Sequence, residues 1–93
     1  MTIEWAPSAF KHGLSKEQIL YAASHPIGSD VVRGLAGDVT RAFAGPPSEY
    51  ADWNIEVLAT LNRRAGRIKF IHAMPLTDAF AYLLEGRDDG QAH

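Results

Sequence analysis

The sequence predicts an α+β fold, an antiparallel β-sheet meander with N-terminal helices and a C-terminal helix packed on one face. Three observations predict it. Apolar and polar side chains alternate in the segments 39–44, 54–62 and 67–74, each long enough for a strand. A capped helical segment precedes them at 16–24, and an apolar stripe at helical spacing follows them at 78–85. Strands that follow one another in sequence and are flanked by helices, with no βαβ alternation, favour α+β over a parallel sheet.

Taken in order, Ile3-Glu4-Trp5 reads as a short first strand or a packed arm, and Pro7-Ser8 as the start of a helical turn or two that ends at Gly13. Ser15 followed by Gln18 has the spacing of a capping box. Leu14 and Ile19 flank it as a hydrophobic staple, so a helix is expected from Lys16 to Ser24, with Ile19, Leu20 and Ala23 as its buried stripe and Pro26 beyond its end. The Gly-rich stretch from Ile27 to Asp38 predicts an irregular segment or a short edge strand. Val39 to Ala44 predicts a strand that Gly45-Pro46-Pro47 terminates. Ser48 to Asp52 reads as a polar loop, with Tyr50 and Trp53 covering a sheet edge.

The next stretch is a hairpin. Ile55, Val57, Ala59 and Leu61 alternate with Asn54, Glu56, Thr60 and Asn62, and Arg64-Ala65-Gly66 supplies the turn. In the returning arm Ile68, Phe70, His72 and Met74 share one parity, so Arg67 and Lys69 stand on the face away from Phe70. A bulge near Pro75 would reverse the far end of that arm. After Pro75, Thr77 is the expected N-cap of a helix whose stripe is Phe80, Leu83 and Leu84, with Gly86 at its C-terminal end. Residues 1–86 are expected to form one domain and residues 87–93 a disordered tail.

Ninety-three residues allow one modest core and exclude a multidomain enzyme. No apolar run approaches the roughly 20 residues of a membrane-spanning helix, and the N-terminus lacks the features of a signal peptide, so a cytoplasmic location is expected. The absence of cysteine removes disulfides, thiolate metal sites and thiol nucleophiles. Three of the eleven acids and one of the nine bases fall in residues 85–93, so the rest of the chain is balanced in charge. Attraction to a polyanion must then be local. Between Asn62 and Ala73 the charged residues are Arg63, Arg64, Arg67 and Lys69, with no carboxylate among them. These four are candidate phosphate ligands, although hairpin tips and edge strands carry such charges for other reasons.

Lys11-His12-Gly13 sets a cation, an imidazole and a flexible residue side by side. Imidazole serves as acid or base near neutral pH. The same three residues also suit the C-terminal end of a helical turn. His72, on the parity of Phe70, reads first as a hydrogen-bonded core or rim histidine. Arg41, between Val39 and Phe43 on one parity, is expected to pair with a carboxylate such as Glu56 or to line a cleft. No His-x-His or His-Glu-x-x-His spacing, P-loop or Rossmann pattern occurs, so no metal or cofactor is expected.

Glu4-Trp5, Lys11-His12-Gly13-Leu14-Ser15 and the strand Arg67-Ile68-Lys69-Phe70-Ile71-His72-Ala73 together resemble the BrnT toxins, small RelE-like ribonucleases of bacterial type II toxin-antitoxin systems. The resemblance implies a curved antiparallel sheet with helices on one face and an RNA-binding cleft on the other. It also implies RNA cleavage through the 2′-OH and a small DNA-binding antitoxin as partner; a homo-oligomer is compatible with it. His12, Lys11, Arg41 and His72 would supply the chemistry. The chain departs from the family pattern at His72-Ala73-Met74-Pro75, where relatives continue Ser-Ala-Arg, and at Leu61, where they carry histidine. A non-catalytic module that holds a protein or nucleic-acid partner is the alternative.

Overall fold

The computed structural model describes residues 2–32 and 39–85. They form five strands, one α-helix and two 3-10 turns: β1 (Thr2–Trp5), η1 (Pro7–Phe10), α1 (Lys16–Ser24), β2 (Gly28–Val32), β3 (Val39–Gly45), β4 (Ile55–Asn62), β5 (Arg67–Pro75) and η2 (Ala81–Glu85). The strands make one sheet in the order β1-β5-β4-β3-β2. β3, β4 and β5 pair antiparallel, as expected of those three segments, and β2 adds antiparallel to β3 at the edge. β1, however, joins β5 in parallel, so the sheet is mixed.

Two further expectations about the fold class fail. The N-terminal segment before α1 is a single 3-10 turn, and in place of a C-terminal helix there is only η2. η2 also lies on the other face of the sheet. Ala9, Leu14, Ile19 and Ala22 pack with Ile55, Val57, Ala59, Phe70 and Ala73 on one side. Leu83, Phe80 and Tyr82 pack with Ala42, Ala44, Leu58 and Leu76 on the opposite side. Leu83 reaches the sheet at the alanines of β3, where the absence of larger side chains leaves room for a tight turn.

α1 is dictated locally. The Ser15 hydroxyl accepts the Gln18 N–H at 3.1 Å and the Gln18 side chain accepts the Ser15 N–H at 2.9 Å, so the capping box is complete. Leu14 and Ile19 enter the same buried cluster, in agreement with a staple. Ala22 is fully buried, whereas Leu20 and Ala23 only flank the core. Burial of Ile19, Ile55 and Val57 supplies about 1.5–3 kcal/mol each.

Trp5 stacks between Phe10, at 5.5 Å, and Phe70, at 4.8 Å, which fixes η1 to the β1–β5 pair. Gly13 follows with φ +81°, in the left-handed region, and reverses the chain into α1. Gly66 does the same at the hairpin with φ +64°.

Val57 and Phe70 share a face, as expected. Beyond Phe70 the phase changes. Ala59 pairs with Phe70 and Leu58 with His72, so Ile71 is an extra residue, a β-bulge. The fully buried positions of β5 are accordingly Phe70 and Ala73, three apart. His72 and Met74 therefore lie opposite the face that simple parity predicts, and they share that face with Leu58 and Glu56. The backbone at the bulge is anchored from the outer edge: Ala6 N–H donates to the Phe70 carbonyl at 2.9 Å, and the Ser8 hydroxyl donates to the Ile71 carbonyl.

Smaller corrections follow the same logic. Tyr50 is 90% exposed and covers no edge, and Trp53 is 41% exposed. Thr77 caps no helix, because its N–H and hydroxyl both donate to Glu56. Gly86, residues 33–38 of the Gly-rich stretch and the expected tail 87–93 fall outside the described residues.

Gly45 closes β3 where α1 ends. A Cβ there would sit 3.1 Å from the His25 carbonyl oxygen and 3.1 Å from the Pro26 Cα, both backbone atoms that cannot rotate away. Gly45→Ala is expected to lower stability by about 1–3 kcal/mol in urea unfolding, the usual scale of overpacking. An unchanged midpoint would mean that α1 and β3 separate at no cost.

Tyr82 donates its hydroxyl to Asp30 at 2.8 Å and so ties η2 to β2. Burial first, and then the Asp30 carboxylate, hold its phenol protonated and raise its pKa. A raised folded pKa gives stability that is complete below about pH 10, the unfolded value, and is lost as pH rises through the folded one. Tyr82→Phe is therefore expected to show a shallower fall in Tm between about pH 9 and 11 than the parent. Parallel curves would remove Tyr82 as the cause.

Candidate active site

On the sheet face opposite α1, the register sets side chains in rows. Thr2, Arg67 and Asn62 form one row, followed by Glu4, Lys69 and Thr60, then His72 and Leu58, then Met74 and Glu56. η2 and the residues before it cover the β2–β3 side of this face, and among the described residues the β1–β5 side stays open. The open part is polar. Alternation puts Arg67 and Lys69 there, as the sequence predicts, and the Ile71 bulge brings His72 to the same side.

Glu56 organises the middle of the face. It is 3% exposed, and its carboxylate accepts the His72 Nε2–H at 2.9 Å through one oxygen and the Thr77 N–H at 2.8 Å and hydroxyl through the other. A buried carboxylate needs such partners, because an uncompensated one would cost several kcal/mol. The contact orients the imidazole. With Nε2 carrying the proton toward a carboxylate, Nδ1 presents its lone pair elsewhere.

His12 reaches this site around the sheet edge. The Trp5–Phe10–Phe70 stack and the two hydrogen bonds from Ala6 and Ser8 lay η1 along β5 past the end of β1. His12 follows two residues after Phe10, and its ring centroid lies 6.0 Å from that of His72 in an edge-on arrangement. The two imidazoles, 60 residues apart in sequence, thus share one rim. Lys11 is exposed beside His12.

The other candidates are distributed differently. Arg41 does not pair with Glu56 and does not stand between the histidines. It lies on the α1 face, where Nη1 donates to the Ser29 hydroxyl at 3.1 Å. The parity of Arg41 was legible; the face on which the histidines meet was not, because it depends on the bulge. Arg63 and Arg64 are exposed at the hairpin tip, beyond Arg67, and Arg63 and Arg67 border a hollow of about 230 Å³ with Leu61 and Gly66. Glu56 and Thr77 were missed as members of the site. The available signal was a carboxylate set between two apolar residues, Ile55 and Val57, in a strand with β-prone residues on both sides of it.

A second depression, of about 100 Å³, is lined by Glu4, Thr60, Asn62, Arg67 and Lys69. That is well below the roughly 300–1,000 Å³ of a pocket that encloses a small molecule. An open, mixed-charge surface beside two imidazoles is better matched to a polymer lying across it. Among the described residues no three His, Asp or Glu side chains are grouped so as to hold a metal ion, and no helix is long and apolar enough to cross a membrane.

Glu56→Ala is expected to destabilise the fold by about 1–3 kcal/mol, since it orphans the Thr77 donors and the His72 N–H. It should also release the His72 tautomer. Ring 15N spectra are expected to show Nε2–H in the parent and exchange between tautomers in the variant; a mixed tautomer already present in the parent would show that Glu56 does not orient the ring.

Comparison with known proteins returned no matching family model, no matching curated protein and no matching solved structure.

Proposed function

We propose that this protein is an endoribonuclease that cleaves RNA through attack of the ribose 2′-OH, acting as the toxin of a type II toxin-antitoxin pair in the manner of the BrnT toxins. The observation that carries the reading is the His12–His72 pair at 6.0 Å, one member of which is oriented by a buried carboxylate. The Lys11-His12-Gly13 step and the basic start of β5, on which the resemblance rests, border the same rim.

The chemistry needs a base, an acid and positive charge. His72, held at Nε2 by Glu56, takes the 2′-OH proton at Nδ1. The freed O2′ attacks phosphorus, and charge gathers on the non-bridging oxygens. Lys11, Lys69 and Arg67 are the nearby cations that would stabilise it. The bond from phosphorus to O5′ breaks, and protonated His12 gives O5′ its proton. The products are a 2′,3′-cyclic phosphate and a 5′-hydroxyl end, and the two histidines have exchanged protonation states. Two imidazoles in opposite states suffice for both proton transfers.

The reading gives Arg41 no role at the reacting phosphate, since it projects from the other face. It gives Arg63 and Arg64 the task of gathering RNA by charge at the hairpin tip, an attraction that weakens as salt rises. A small DNA-binding antitoxin remains the partner that this reading implies.

His12→Ala and His72→Ala are each expected to slow cleavage of an RNA pool by about 100-fold or more, the usual scale for a general acid or base, with melting of the His12 variant unchanged. Chelation by EDTA should leave the rate unaltered. A parent protein that, free of any partner, neither cleaves RNA nor inhibits growth of a bacterial host would overturn the reading in favour of a non-catalytic binding module.

A further inference from the structure

The depression next to the histidine pair contains a group that phosphate binding does not explain. Glu4 stands in the same row as Lys69 and Thr60, one row from Arg67 and one from His72. Its carboxylate is on the exposed strand β1, and among the described residues no ion pair joins it to Lys69 or Arg67. A carboxylate placed among cations repels a phosphate. It favours instead a ligand that carries N–H donors and acceptors side by side.

The geometry points to a subsite for one guanine base of a single-stranded RNA, lined by Glu4, Arg67 and Lys69, one step from the bond that the histidines would cleave. The identity of the ligand rests on the RNA-cleaving reading; the base preference rests on the depression itself. Guanine alone among the four bases has two adjacent N–H groups, at N1 and N2, that match both oxygens of a carboxylate. It also carries O6 and N7 as a pair of acceptors for Arg or Lys. Adenine, cytosine and uracil each lack the adjacent pair of ring and amino N–H donors. At about 100 Å³ the open hollow is too small to enclose a whole nucleotide, so a base resting on it leaves the ribose and phosphate outside. Rows on one face of a strand are about 7 Å apart, so a base seated over Lys69 sets its own phosphate near His72.

The test is titration of 15N-labelled protein with GMP, AMP, CMP and UMP, which share a phosphate and differ in the base, alongside cleavage of RNA pools with sequencing of the ends. The expected result is that GMP binds about tenfold more tightly than the others, with its shifts at Glu4, Thr60 and Lys69. Glu4→Gln should abolish that preference, so that all four nucleotides bind within about twofold of one another, because the amide keeps the shape and loses one acceptor oxygen. Cleavage should favour sites with guanine at one fixed position, and the preference should fall in the same variant. GMP selectivity in a protein that cuts no RNA would keep the subsite and remove the nuclease reading. Cleavage with no preference altered by Glu4→Gln, or equal binding of all four nucleotides, would overturn the subsite and leave the nuclease reading standing.

Discussion

The extra residue in β5 governs what this molecule can present. A bulge at Ile71 leaves a carbonyl out of the regular ladder, and the Ser8 hydroxyl accepts the task of satisfying it, next to the Ala6 N–H on Phe70. Both donors come from the segment that follows β1. β1 itself is short and ends at Trp5, where β5 is about to change phase, and the chain then continues as η1 along the vacated edge. One irregularity thereby sets the end of the parallel pair, the position of η1 and the side on which His72 emerges.

Glu56 is the counterpart on the neighbouring strand. Its burial is compatible with the fold because three donors from two different segments converge on it, and none of them is local in sequence. The carboxylate links β4, β5 and the start of the segment that leads to η2. Since Leu83 and the Tyr82–Asp30 contact hold that segment against β2 and β3, the C-terminal turn and the imidazole are mechanically connected through a single side chain. The sheet is thus packed on both sides, yet unevenly, with α1 broad on one face and η2 confined to part of the other.

That unevenness explains how a chain with a formal charge of −2 can offer a basic surface. Lys69 and Arg67 project from the uncovered part of the second face, with Arg63 and Arg64 beyond them at the tip. Much of the acidity lies elsewhere or is engaged, as with Glu56 and Asp30. Glu4 is the exception, a carboxylate facing the basic strand, and it makes the charge of this surface mixed rather than uniformly positive.

Local signals determined the elements that depend on neighbours in sequence. The capping box fixed α1 to Lys16–Ser24, the period of two located β3 and both arms of the hairpin, and the parity of Arg67 and Lys69 put them on the correct face. The Lys11-His12-Gly13 step was legible as the end of a helical turn, and Gly13 takes the left-handed φ of +81° there. Tertiary structure alone decided the parallel addition of β1, the shrinkage of the expected C-terminal helix to η2 on the opposite face, and the meeting of His12 with His72. Each of these turns on where a backbone donor or a buried carboxylate finds its partner across more than fifty residues or across the sheet. A bulge leaves the alternation of Ile68, Phe70, His72 and Met74 intact in the sequence while reversing its second half in space. Periodicity reports the side chains, and the phase of a strand belongs to the hydrogen bonds of its neighbours.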